Sequence, residues 1–419
     1  MNCRQLFLWL RLVPLACMYA CACNATASET VRIAFIGNLS GTGALSGEEQ
    51  LKAFQAAADL INSQGGVLGG GKVEIVPFDN KGSPQEALVV LKQAIDQDIR
   101  YVASTLSSVV HALSDAVAKH NARNPDRPIL LLNFNALDPA LTESRCNFWH
   151  FRFEVNSDTQ VDVLTDVMGK QSAIHKVYLI NQDYAYGQAV SRTAKAMLAR
   201  KRPDIEIVGD ELIPLLKIKD FAPYVSKIRA TAADTVLSGN WGNDLSLLVK
   251  AGREANLQVT YYTLLGAQWG TPSAVGAAGA DRLKSVAAWH MNAADQIWEE
   301  RLQGYAVKYK STSDMAYLPP FRVVDMLASA INKVGTQDPA KVAYALEGAK
   351  YSGPTGDSWM RADDHQLIAP EYVMSFVKAG QPGVKHDVEG TGYGWRTDEL
   401  LAAQAIAPPI RCQMKRPRN

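Results

Sequence analysis

The first pattern along the chain after its opening segment is a short, mainly apolar run, Val31–Ile36, rich in β-branched residues and bounded by a Gly/Ser-rich loop, Gly37–Gly47. A short apolar run of this kind, with Arg32 as its one polar position, predicts a buried strand. The next segment switches to helical periodicity, with Leu51, Phe54, Ala58 and Ile61 on one face, and Gly65 and Gly66 stop it. A second strand follows at Val73–Phe78. The alternation continues with a helix over Pro84–Asp96, a strand at Tyr101–Ser104, a helix over Val109–His120 and a strand at Ile129–Leu132. It pauses at PALTESRCNFWHFRF and restarts. Strands at Val177–Ile180 and Ile205–Val208 flank a helix over Gln188–Arg200, and strands at Thr235–Leu237 and Tyr261–Leu265 flank one over Asp244–Ala255. Val286–Ala288 then leads into helices near Ile297–Lys308, Phe321–Val334 and Pro339–Glu347, and Tyr372–Val377 reads as a last strand. Two successive strand–helix series predict an α/β fold of two Rossmann-like lobes with parallel-type sheets. Ligands of such sheets gather at the C-terminal ends of the strands.

Composition narrows the function classes. At 419 residues, with 47% hydrophobic and 20% charged residues, the chain is long enough for two ordinary domains and too apolar for disorder. The first 27 residues, MNCRQLFLWLRLVPLACMYACACNATA, read as a signal peptide. Arg4 precedes an apolar stretch and Ala25-Thr26-Ala27 fits the small-x-small cleavage rule, which places the mature start near Ser28. Lipidation at Cys17, Cys21 or Cys23 is the alternative. The leader removes Arg4 and Arg11, leaving 41 basic against 42 acidic residues, which is no footprint for nucleic acid or an anionic membrane. No later segment approaches about 18 uninterrupted apolar residues. Cys146 and Cys412 are the two cysteines outside the leader, and in an exported chain a disulfide between them is expected, against the alternative of two free thiols.

Motifs of catalysis are missing. Gly66-x4-Gly71-Lys72 has Val73 where a phosphate-binding loop needs Ser or Thr, and it lies between helix and strand in the wrong order. Seven histidines are scattered without metal-ligand spacing, and no Gly-x-Ser-x-Gly elbow exists. His111 and His290 could touch a ligand but read more simply as structural. No cofactor or metal is expected. The positive signal is Ser-Thr-Leu-Ser-Ser, residues 104–108, between a strand and a helix. Ser107 or Ser108 could cap that helix, and its free N–H groups suit a ligand carboxylate as well as they suit a plain cap.

Together NLSGTGALSGEE, AAADLINSQGGVLGG, FDNKGSPQEAL, YVASTLSS and DYAYGQAV closely resemble the type I periplasmic binding proteins of the leucine/isoleucine/valine-binding group, the extracytoplasmic receptors of ABC importers. The resemblance runs from about Val31 to Phe376. It implies two lobes joined by three crossover strands, near Phe151–Glu154, Ser285–His290 and Gly353–Asp357. Lobe 1 would then combine 30–152 with 288–355, and lobe 2 would combine 153–287 with 356–412. A periplasmic location, a small-molecule ligand in the cleft and ABC permease membrane subunits as partners are implied, with no nucleic acid; a monomer is expected. A ligand-sensing receptor module is the rival use of the same fold.

Residue by residue, the resemblance puts Ser107 on the ligand carboxylate, with Ser108 beside it, and Asn135 and Ala136 in the loop at the same end. Tyr186 matches a cleft-lining tyrosine, and Trp241, Tyr317 and Ser46 fall where the family has aromatic residues. The departures redirect the expected ligand. Leu264 and Leu265 stand where amino-acid binders carry the acid that pairs with the ammonium, and no acidic residue lies between Ala255 and Asp281. A buried ammonium without that carboxylate loses about 3–5 kcal/mol, roughly two to four decades of affinity. Leu137 replaces a threonine that serves the amino-acid backbone, and Gly82 and Leu106 replace the family's small disulfide. An anion end at Ser107 with an aromatic rim of Tyr186, Trp241 and Tyr317 therefore predicts an aromatic carboxylate as ligand, with branched-chain or other amino acids as the alternative.

Overall fold

The computed structural model describes residues 29–268, 270–293, 295–311, 318–354 and 356–417. The expected signal peptide, its cysteines and Tyr317 lie outside these. Lobe 1 opens with β1 (Val31–Gly37), α1 (Ala44–Ser63), β2 (Val73–Asp79), α2 (Pro84–Asp96), β3 (Tyr101–Ser104), α3 (Ser107–Arg123), β4 (Leu130–Asn133) and β5 (His150–Arg152). Lobe 2 follows with α4 (Ser157–Gly169), β6 (Lys176–Gln182), α5 (Ala185–Lys201), β7 (Glu206–Ile213), α6 (Ala222–Ala230), β8 (Thr235–Ser238), α7 (Gly242–Glu254), β9 (Thr260–Thr263), α8 (Thr271–Val275) and β10 (Leu283–Ala287). The chain returns to lobe 1 for α9 (Gln296–Tyr309), α10 (Leu318–Val334), α11 (Pro339–Leu346), β11 (Lys350–Gly353), β12 (Gly356–Met360) and β13 (Leu367–Ile368). It ends in lobe 2 with β14 (Glu371–Lys378) and β15 (Tyr393–Leu401).

The first sheet runs β2-β1-β3-β4-β5, all parallel. The second runs β15-β14-β10-β9-β8-β6-β7, parallel except where β14 and β15 join antiparallel at one edge. Period-two alternation between two covered faces explains the mainly apolar runs. Val31, Ile33 and Phe35 of β1 enter the core beneath α1 and α10, while Ala34 and Ile36 enter the opposite core with α2 and α3. In lobe 2, Val177 and Leu179 of β6 face one layer and Tyr178 and Ile180 the other. Helix starts are fixed by local chemistry. Ser83 Oγ accepts from the Glu86 N–H ahead of Pro84, Asn156 Oδ1 from the Thr159 N–H, and Asp338 Oδ1 from the Lys341 N–H ahead of Pro339.

The lobe boundaries differ from expectation at the third crossover. Gly353 and Gly356 pair at the turn of the β11–β12 hairpin, so the chain folds back there instead of crossing. Tyr351, Met360, Leu367 and Ala369 belong to the lobe 1 core, and the crossing falls at Ala369–Glu371, where β14 joins β10. The first crossing likewise falls after Val155, which still packs in lobe 1, and before Val161 in lobe 2. The tail beyond β15 also leaves lobe 2. Ile406 packs in the lobe 2 core, but the Pro408 carbonyl accepts from Arg361, Met414 lies against the lobe 1 core, and Arg416 pairs with Glu347. Cys412 is disulfide-bonded to Cys146 in lobe 1.

Candidate ligand site

The cleft is framed by equivalent strand–loop–helix turns, one per lobe. After β1 the first turn of α1 closes on the loop, and a Cβ at Gly47 would sit 1.9 Å from the Asn38 carbonyl oxygen. After β6, a Cβ at Gly187 in α5 would sit 1.9 Å from that of Gln182. Both helices can approach their strand only because glycine stands there. Ser46, in the first turn of α1, is half-buried. Next to it Leu45 reaches lobe 2, with its Cδ2 3.2 Å from where a Cβ on Gly270 would be.

Ser107 is the first residue of α3, not its cap. Leu106, at φ 67°, holds the capping position without a side-chain hydrogen bond. The buried Ser107 Oγ instead accepts the Asp138 N–H at 3.2 Å, tying the α3 start to the loop after β4; Ser108 is half-buried beside it. In that loop the buried Ala136 is held at both ends by Asn133, whose Oδ1 accepts its N–H at 2.7 Å and whose Nδ2 donates to its carbonyl at 2.9 Å. Asn135 projects between them, half-buried, into the cleft. Asp138 also accepts from His111 Nε2 at 2.6 Å. Burial pushes its carboxyl up, but His111 and the Ala140 N–H outweigh that and hold it below the usual range.

The aromatic residues of lobe 2 form a cluster of their own. Trp241 Nε1 donates to the Tyr184 hydroxyl at 3.0 Å, and the Tyr184 and Tyr186 rings lie 5.6 Å apart. Tyr186 is fully buried within the lobe 2 core, and its hydroxyl has no partner. Burial raises the Tyr184 hydroxyl, with the Asp138 carboxylate of lobe 1 adding to the effect against the Trp241 bond. The expected rim is thus a packed wall rather than a stacking slot, because Tyr186 is buried in the same core cluster as Val190 and Leu237.

A small cavity of about 40 Å³ opens on the hinge side of the cleft, between the two lobes. Leu264, Leu265, Ala267 and Val286 of lobe 2 and Pro319 of lobe 1 supply an aliphatic wall. Asn135, Gln160, Gln268 and Glu154 are its polar side chains, and Glu154 is the one charged residue among its described lining. Of the residues singled out from sequence, Asn135 and Leu265 line this cavity. Ser107, Ser108, Ala136, Tyr186, Trp241 and Ser46 do not.

Sequence reasoning missed Glu154, Gln160, Arg322 and Glu371. Glu154 Oε1 accepts the Val155 N–H at 3.0 Å, and Oε2 lies 3.5 Å from Arg322 Nη1. Burial pushes both Glu154 and Glu371 upward, in Glu371 strongly and with the Glu154 charge adding to it; Arg322 opposes the shift in both. One signal was available: Glu154 sits inside FRFEVN, a carboxylate in an apolar crossover, where an uncompensated charge is costly.

Comparison with known proteins places this geometry. The model of the family described as periplasmic binding protein matches residues 30–381. The chain is 32% identical over 417 residues to "Leu/Ile/Val-binding protein homolog 4" of Brucella abortus, covering 97% of each. The structure of a leucine-, isoleucine-, valine-, threonine-, and alanine-binding protein from Brucella ovis, in its closed conformation, is 30% identical, with a TM-score of 0.84, over 93% of this chain and 100% of that one. A solute-binding protein from Rhodopseudomonas palustris HaA2 in complex with p-hydroxybenzoic acid shares the fold at 19% identity and a TM-score of 0.76, over 90% of this chain and 99% of that one. Two lobes and a cavity at the hinge agree with these matches: the chain belongs to the periplasmic binding protein family, in its Leu/Ile/Val-binding group, and is a solute-binding protein of the ABC transporter class.

Proposed function

We propose that this receptor captures a small α-amino acid with an apolar side chain and presents it to the permease subunits of an ABC importer. The observation that carries the reading is the hinge-side cavity, which pairs an aliphatic wall at Leu264, Leu265 and Val286 with the Glu154 carboxyl, and has no basic side chain among its described lining. An acid in such a wall favours a ligand that brings a positive group, and the aliphatic wall favours a side chain of the leucine or valine kind. The names of the Brucella relatives agree with it. The Leu264 and Leu265 substitutions then shape the side-chain pocket instead of removing the amino acid. Capture proceeds by hinge closure of the lobes, with Asn135 offering an amide from lobe 1.

A second reading, an aromatic carboxylate, is supported by the Tyr184–Tyr186–Trp241 cluster beside the cleft and by the benzoate complexes that share the fold. Thermal unfolding of the ligand-free protein against aliphatic amino acids, benzoates and cinnamates separates the two. A ligand at 100 times its Kd adds about 2.7 kcal/mol of stability. A raised midpoint with leucine or valine is expected; a rise with aromatic acids alone refutes the amino-acid reading.

A further inference from the structure

The hinge wall of the cavity gathers buried charged groups. Glu154 comes from the first crossover, Arg322 from α10 and Glu371 from the third crossover, and they are 5%, 1% and 0% exposed. Arg322 Nη1 donates to the Phe153 carbonyl at 2.9 Å and faces Glu154. Arg152, the other guanidinium nearby, is committed elsewhere. It donates to Gln366 and to the Asp138 carbonyl, each at 2.7 Å, and to the Thr142 hydroxyl. Arg322 is thus the guanidinium that contacts Glu154, while Arg152 reaches it only through space. The second crossover brings Val286, Ala287, Ala288 and Trp289 to the cavity, and α4 brings the Gln160 amide, so the described lining gains no further charge from these elements. Neither Glu371 oxygen has a hydrogen-bond partner, although the Gln160 side chain lies beside it. Gln160, 4% exposed, lines the same cavity as Glu154, and its Oε1 also has no partner.

We propose that Glu154 and Gln160, backed by Glu371, form a cation subsite on the hinge wall that receives the ammonium group of the bound solute. The inference rests on the amino-acid reading above and adds the residues that recognise the amine. An ammonium has three donors. Glu154 and Gln160 line the cavity and bring carboxyl and amide oxygens as acceptors, and the cation adds positive charge to a wall with two carboxyls. In the empty cleft Glu371 holds a proton, since a second buried carboxylate is costly. When the ammonium arrives, Glu371 ionises and its proton passes to the solvent. Recognition of the amine thus moves from lobe 2, where leucines stand, to the crossovers that bend when the lobes close.

Isothermal titration of the ligand-free mature protein with L-leucine and with its deaminated analogue, 4-methylpentanoate, in buffers of different ionisation enthalpy at pH 7 tests this. Leucine is expected to bind with the release of about one proton, and 4-methylpentanoate to bind weakly with none. Glu154→Gln should cut the preference for leucine over the analogue by about 100-fold or more. Glu371→Gln should abolish the dependence on buffer. The wild-type proton count does not depend on either variant folding. Leucine binding without proton release, or an unchanged preference in a folded Glu154→Gln protein, overturns the subsite and leaves the amino-acid reading standing. Binding of 4-methylpentanoate or benzoate with no binding of any amino acid overturns both.

Discussion

Replacing Cys146 and Cys412 by serine should destabilise this protein more than the loss of any one surface contact, because the bridge closes a very long loop, from the end of the first lobe 1 segment to the tail. The two cysteines are 266 residues apart, and the loop they close runs through both sheets. Chain-entropy theory gives about 5.5 kcal/mol for a loop of that length, and native bridges in general yield about 2–5 kcal/mol. The tail's other attachments do not substitute for it. Arg411–Glu143 and Arg416–Glu347 are partly exposed ion pairs worth about 0–1 kcal/mol each. With about 0.8 kcal/mol/K of unfolding entropy for a chain of this size, a loss of 3–5 kcal/mol lowers Tm by roughly 4–6 °C. The assay is thermal unfolding of oxidised wild type, reduced wild type and the Cys146→Ser/Cys412→Ser protein. The last two should agree with each other and fall below the first. A variant that melts within about 1 °C of oxidised wild type would show that the covalent closure contributes nothing and that the tail is held by packing alone.

Other predictions follow from the cleft. Ser107→Ala leaves the buried Asp138 N–H without its acceptor and should cost about 1–3 kcal/mol in urea unfolding; a change under 0.5 kcal/mol would mean water replaces the hydroxyl. Gly187→Ala forces the α5 start away from Gln182 and should cost at least about 2 kcal/mol, whereas Gly304→Ala, whose Cβ meets nothing, should be neutral or stabilising; equal effects in the two would refute the close-approach argument. Asp138 titrates below its ordinary value in the folded state. Its contribution to stability is therefore full above about pH 4, the unfolded value, and fades as the pH falls through the depressed folded value. The stability gap between wild type and Asp138→Asn should accordingly shrink from pH 5 towards pH 2.5, and a constant gap would contradict the assigned shift.

The sequence by itself determined the repeated strand–helix alternation and the glycine-bearing turns that build the two lobes. Apolar runs such as Val31–Ile36, where Arg32 is the single polar position, are decisive because a strand covered on both faces accepts few polar residues. It was silent on β15, where YGWRTDELL alternates charge and apolarity as a half-exposed edge, and on the β11–β12 hairpin, whose strands of four and five residues carry no long pattern. That hairpin shifted the third crossover from 353–357 to 369–371. The site divides the same way. Asn135 and Leu265, reached through the family resemblance, line the cavity because they follow strands at the cleft end of their sheets. Tyr186 and Trp241 share that address, yet one is buried in its own lobe and the other bonded to Tyr184, because an aromatic ring satisfies a core as readily as a ligand. Glu154, Gln160, Arg322 and Glu371 span more than 200 residues of sequence, and no local pattern links them. Only the meeting of the crossovers with α4 and α10 places two carboxyls beside Arg322, and charge balance in a buried site is a property of that neighbourhood, not of any segment.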